Sequence, residues 1–275
     1  YLVTPLSPIQ IIEAVSRLYV DPDAPPIGRS IAFMGAKGGT GSSTIAHNVG
    51  WCISTRMNED VIITDLDLAF GTAGLDFNHD PAQGIADALM APERLDDVLL
   101  DRLLVKCSDH LSLFAAPAVL DRDLDMDSES FESVLEIVRE TVPCVIVDLP
   151  HIWSPWTKKL LMSADEIVIT ATPDLASLRN AKNIIDLAKQ TRSNDGMPHL
   201  VINQVGVPKR PEIPVKDFAE AIGIEPTLVL PFNPGLFGAA ANNGQMIEEL
   251  DPKNKATEGM RYLAKQLCGR DPMPI

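Results

Sequence analysis

The chain has no run of about 18 apolar residues, so no stretch of it reads as a membrane-spanning helix. No signal-peptide pattern stands at its start. Cysteine is scarce: Cys52, Cys107, Cys144 and Cys268 are scattered through 275 residues without Cys-x-x-Cys spacing. That scatter argues against a disulfide framework and for a reduced, cytoplasmic setting. Basic residues are also short, with 23 Lys and Arg against 38 Asp and Glu, a net charge of −15 and a pI of about 4.7. A protein that holds DNA non-specifically needs a basic surface for counterion release, so the charge argues against nucleic acid as the main partner. The length is enough for one large α/β domain or a domain with an appendage.

One further absence organises the rest. Ile31-Ala32-Phe33-Met34 leads into Gly35-Ala36-Lys37-Gly38-Gly39-Thr40-Gly41-Ser42-Ser43-Thr44, and Ile45, Val49, Cys52 and Ile53 then fall on one helical face. Strand, glycine loop and helix in that order make a phosphate cradle, from backbone N–H groups and the helix N-terminus. Loops of this kind usually end in Gly-Lys-Ser/Thr, the lysine reaching the outer phosphates. Here Ser42 holds the lysine's place, and Lys37 stands five residues earlier. Ser43 takes the position whose hydroxyl binds Mg²⁺, with Thr44 as the adjacent alternative.

Apolar runs predict six further strands, at 61–67, 111–115, 144–148, 167–170, 199–203 and 227–230. Helical patterns follow Asp127 and Asp174 as N-caps, a final helix runs from about Asn254 to Leu267, and short helices are expected within 76–110. The alternation predicts an α/β three-layer fold around a mostly parallel sheet of roughly seven strands. Ligands bind such sheets at the C-terminal strand ends. The glycine loop, Asp65 with Asp67, Asp148 and Asn203 all close strand runs.

Asp65 and Asp67, two apart, point to one side if the extended conformation persists. One could hold the metal's water shell and the other orient an attacking water; two solvated turn aspartates is the plainer reading. Asp148 ends a wholly apolar strand, costly for a carboxylate unless a cation is near, which favours a Mg²⁺ role over helix capping. His151 reads as a loop residue near the phosphates and is left unassigned.

The segments Lys37–Thr44, Asp65-Leu66-Asp67, Cys144–Pro150, Ala164–Asp174 and Val201–Asn203 resemble the MinD/ParA superfamily of deviant P-loop ATPases over most of residues 29–268. Serine at the lysine site, Asp80-Pro81 with Gly84–Leu89, and Pro92–Leu95 are similar to its CpaE/TadZ branch, which serves assembly of Flp/Tad-type pili. Residues 1–28 resemble the last strand and helix of a receiver domain plus a proline-rich linker, with 29–275 the ATPase domain; an ordinary N-terminal helix is the other reading.

The resemblance implies a nucleotide switch that forms a homodimer across two ATP molecules. Lys37 reaches the partner's phosphates, Asp67 positions the attacking water, and Gly38, Gly39, Thr40, Gly41, Ser42, Ser43 and Thr44 hold the phosphates. Ser43, Asp65 and Asp148 serve Mg²⁺. Asn203 contacts adenine, with Pro231, Phe232 and Asn233 near the same ring. Pilus assembly or secretion proteins are the expected partners, and the expected location is the cytoplasm, with a partner drawing the chain to the cell pole.

Two departures qualify this. Without the loop lysine, hydrolysis is expected to be slow or partner-dependent. The chain end Leu267–Ile275 has prolines and no basic amphipathic stripe, so any membrane contact is expected to be indirect. A ParA-type DNA or cargo positioner is the alternative function, with Lys253, Lys255, Arg261 and Lys265 as its candidate patch. An iron–sulfur reductase on the same fold is excluded, since no cysteine follows Asp148 until Cys268.

Overall fold

Apolar strands buried on both faces need a helical layer on each side, and the computed structural model shows that arrangement. It describes residues 27–116, 126–192 and 196–269. The N-terminal segment through residue 26 and the tail after Gly269 lie outside the described residues.

The strands are β1 (Arg29–Gly35), β2 (Val61–Asp65), β3 (Val105–Ser108), β4 (Leu111–Phe114), β5 (Cys144–Leu149), β6 (Glu166–Ala171), β7 (His199–Val205) and β8 (Leu228–Pro231). Helices α1 (Ser42–Arg56), α2 (Ala73–Asp76), α3 (Ile85–Leu89) and α4 (Asp97–Leu103) come first. Then follow α5 (Ser128–Thr141), α6 (Pro155–Ser163), α7 (Leu175–Thr191), α8 (Val215–Ile222), α9 (Pro234–Asn243), α10 (Ile247–Leu250) and α11 (Lys255–Cys268).

One eight-stranded sheet has the order β3-β4-β2-β5-β1-β6-β7-β8 and is parallel except for the β3–β4 pair. All seven expected strands are present. The eighth, β3, was expected as part of a helical stretch: it is a short edge strand with no fully buried residue, too weakly patterned to stand out.

Alternation along the strands sorts the core. Ile31 and Phe33 of β1 pack with Val49 and Ile53 of α1 and Met260 and Leu263 of α11. Ala32 and Met34 face the other way, with Phe131 and Val138 of α5, Leu161 of α6 and Ile185 of α7. Each of these large side chains contributes about 1.5–3 kcal/mol by leaving water. Among the described residues no helix is long and apolar enough to cross a membrane.

This topology fixes the site. In the register of the central strands Asp65 of β2 stands beside Asp148 of β5, and Gly35 at the end of β1 stands beside Thr170 of β6. The loop from β1 into α1 therefore emerges at mid-sheet, between the acidic ends of β2 and β5 and the end of β6.

Candidate functional site: a phosphate-binding loop with acids at the neighbouring strand ends

The loop is held from outside by its carbonyls. The Asn180 side chain donates to Ala36 O at 2.9 Å, His151 Nδ1 to Gly35 O at 2.9 Å, Asn203 Nδ2 to Thr40 O at 2.8 Å and Gln204 Nε2 to Gly39 O at 3.0 Å. Taking up the carbonyls leaves peptide N–H groups as the loop's remaining polar capacity, which suits an anion. Gly41 is the N-cap of α1 with φ 83°, no side chain caps the helix, and no acid stands in its first turn. A Cβ at Gly41 would lie 2.7 Å from Asn203 Nδ2, so glycine is required by both φ and space.

Two adjoining cavities open here. The first, about 410 Å³, is lined by Lys37 through Thr44, Asp67, Phe70, Thr72, Asp148 and His151. The second, about 190 Å³, is lined by Asn203, Gln204, Pro231, Phe232, Asn233 and Phe237 and shares Gly41 and Thr44 with the first. One is walled by the glycine loop and floored by a carboxylate, the other flanked by aromatic and proline rings, as a nucleotide's phosphates and base require. A separate cavity of about 300 Å³ between α5 and α6 shares none of these lining residues.

Asp148 is buried at the cavity floor, and its Oδ1 has no hydrogen-bond partner. An orphaned carboxylate oxygen in a cavity that Ser43 and Asp67 also line fits a Mg²⁺ ion that arrives with phosphate. Among the described residues no group of three or more His, Cys, Asp or Glu side chains could hold a metal without such help. Ser42 Oγ is also buried without a partner. It lies inside the loop, where a Cβ on Gly35 would be 3.7 Å from Ser42 Cβ.

The side chains of Asp65 and Asp67 separate. β2 ends at Asp65, so the extended conformation that would align Asp65 with Asp67 does not continue. The Asp65 carboxylate instead accepts the N–H groups of Asp67 and Ala73, both at 3.1 Å, and a Cβ on Gly71 would collide with it. It anchors the β2–α2 loop from beneath, whereas Asp67 is on the cavity wall. Burial, then the charge of Asp148, push the Asp65 pKa up to about 7.

His47, in the second turn of α1, carried no signal in the sequence because it sits among apolar helix positions. It is fully buried, with Nδ1 2.8 Å from Asp76 Oδ2 and Nε2 3.4 Å from Asp148 Oδ2. Burial alone would lower its pKa; the contacts with Asp148 and Asp76 outweigh this and raise it to about 10. Lys37 likewise has a partner that the sequence did not show, Asp174 at the head of α7, 2.6 Å away.

Comparison with known proteins agrees with this geometry. A family model described as an AAA domain matches residues 28–200. The septum site-determining protein MinD of Synechocystis sp. is 24% identical over 253 residues, spanning 89% of this chain and 91% of that protein. A ParA family ATPase from Chlorobium tepidum superposes with a TM-score of 0.78 at 25% identity, covering 88% of this chain and 99% of that one. MinD from Pyrococcus horikoshii, solved with Mg-ADP, superposes at 0.76 with 17% identity, covering 88% and 96%. With the family model spanning more than half its length, the chain belongs to this AAA-domain family, as a P-loop ATPase of the MinD/ParA type.

Proposed function

We propose that the chain is an ATP-dependent dimerising switch that localises or regulates Flp/Tad-type pilus assembly machinery, with slow or partner-dependent hydrolysis. The observation that carries the reading is the placement of Lys37. It lines the phosphate cavity with its side chain more than a third exposed, open to the phosphates of a second protomer in this reading. Around the same mouth Phe70, Ile152, Trp153 and Leu175 are more than half exposed, an apolar rim that association would cover.

In this reading Gly38, Gly39, Thr40, Gly41, Ser42, Ser43 and Thr44 bind the phosphates. Asn203, Pro231, Phe232 and Asn233 surround the adenine. Ser43 and Asp148 hold Mg²⁺, and Asp65 supports it by shaping the loop; the bound ion neutralises charge on the phosphates. Asp67 orients the attacking water. ATP favours the dimer because its γ-phosphate is the group that Lys37 meets across the interface, and a ligand that binds one state better shifts the population toward it. With Ser42 in the usual lysine's place, the transition state lacks a cation from its own protomer's loop, so turnover is low.

The pilus role rests on the CpaE/TadZ-like residues of the loop and of 80–95, and it places the protein in the cytoplasm, drawn to the cell pole by a partner. The alternative, a ParA-type DNA or cargo positioner, keeps the same chemistry. Its candidate basic patch is weakened because Arg261 is committed to Glu248, which also takes Arg56. Two measurements test the proposal. Phosphate release well below about 1 per second with no partner is expected, and ordinary turnover contradicts it. Co-purification with pilus assembly proteins, and no retention of duplex DNA at moderate salt, separates the pilus reading from the DNA reading.

A further inference from the structure

His47 joins two parts of the site, the floor at Asp148 and the short helix α2. Its Nδ1 is fixed to Asp76, the last residue of α2, and its Nε2 faces Asp148 at the cavity floor. Phe77, just past α2, lies against the same ring with centroids 5.8 Å apart and in turn meets Trp51 of α1 at 6.4 Å. The short helix α2 is thus seated on α1 through His47. Between α2 and β2 run Asp67, Phe70 and Thr72, all on the cavity wall.

The two ends of this bridge differ. The Asp76 end is a hydrogen bond of 2.8 Å; the Asp148 end, at 3.4 Å, is long, and Nε2 and Asp148 Oδ1 are both buried without a hydrogen-bond partner. Nε2 thus meets Asp148 only as a long ion pair, and Oδ1 of that buried carboxylate is left over, a cost relieved when the carboxylate gains a ligand and settles. A shift of Asp148 then reaches α2 through an imidazole packed too tightly to absorb it.

We propose that His47 is a positioning residue that couples the state of Asp148 to the β2–α2 loop, so that filling the phosphate cavity with nucleotide and Mg²⁺ fixes Asp67 and the exposed Phe70 in place. The proposal rests on the nucleotide-switch reading and adds its internal linkage: the floor of the cavity is coupled to the apolar rim through His47.

The test uses amide hydrogen exchange of residues 66–77 in the full chain, with and without Mg·ATP, beside binding of a fluorescent ATP analogue. Two conservative variants each cut one end of the bridge. His47→Asn retains a donor at the Nδ1 position, and His47→Gln retains reach toward Asp148. Asp76→Asn weakens the α2 end at a side chain that is 20% exposed, should either buried change fail to fold.

In the wild type Mg·ATP is expected to slow exchange in the loop about tenfold. In the variants the analogue still binds within about threefold while the loop protection is lost, an uncoupling that a merely structural residue would not produce. Wild-type protection in a variant that binds nucleotide overturns the coupling, as does binding to the wild type with no loop protection. A wild type that binds no nucleotide overturns the switch reading and this linkage with it.

Discussion

Lys37 Nζ lies 2.6 Å from Asp174 Oδ2, so the one lysine of the glycine loop is tied to the head of α7 in its own chain. Asp174 also caps that helix, accepting Ser177 N–H at 3.0 Å, and takes the Thr172 hydroxyl at 2.6 Å. Partial burial pulls its pKa up, but the bonds from Lys37, Thr172 and Ser177 hold it at about 2. A partly exposed pair of this kind is worth less than about 1 kcal/mol, weak enough for the lysine to be exchanged onto phosphate.

Replacing Asp174 tests that exchange. Asp174→Asn keeps an N-cap side chain and removes the charge, so the ATP concentration giving half-maximal dimer is expected to fall about two- to fivefold. Light scattering over an ATP series reads it, and an unchanged or higher midpoint counts against the tether. Asp174→Ala loses the cap as well, which should lower stability by about 1 kcal/mol in denaturant melts.

Ser42→Lys restores the missing loop cation. Phosphate release is expected to rise about tenfold or more, because a lysine there meets charge that develops in the transition state. Turnover equal to the wild type would mean that the serine is not what limits hydrolysis.

Gly41→Ala meets both a left-handed backbone, φ 83°, and the Asn203 amide. The strain costs about 1–2 kcal/mol and displaces Asn203 from Thr40 O. Affinity for a fluorescent ATP analogue should fall about tenfold or more while circular dichroism stays native. Undiminished affinity would show that the loop's shape is not needed for binding.

The pH dependence of the nucleotide-free protein follows from His47. It faces Asp76 of α2 and Asp148 of β5, with Asp65 of β2 contributing through its charge, and its pKa rises from 6.5 unfolded to about 10 folded. The folded state therefore holds an extra proton between those values. Its stabilising effect is complete below about pH 6.5 and is lost as pH climbs through about 10. The wild-type melting temperature should drop more over this window than that of His47→Gln; parallel curves would contradict the assignment.

Much of this was legible in the sequence, for physical reasons. Apolar runs marked every strand of the parallel sheet, since strands buried on both faces read as near-continuous apolar stretches, with their few polar residues mostly at the ends. Asp127, Asp174 and Asn254 each cap the helix that they were expected to begin. The loop glycines and Asp148 line the cavity because the strand-end rule is a property of the topology.

The rest depended on contacts distant in the chain. Helix α6 went unread although Ser154 and Pro155 give it a local start signal. β3 is an edge strand whose half-exposed residues give no clear period. The Asp65–Asp67 spacing suggested a shared side, but the chain leaves the strand at Asp65. His47 and Asp174 were invisible as partners because their importance comes from residues 101 and 137 positions away, Asp148 and Lys37.

The central claim is that ATP drives association through Lys37. The most direct measurement is the solution mass of the wild type with Mg·ATP, with Mg·ADP and without nucleotide, beside Lys37→Ala. A dimer in Mg·ATP alone, absent from Lys37→Ala, is the predicted result. A wild type that stays monomeric in Mg·ATP, or a Lys37→Ala variant that dimerises equally well, would contradict it.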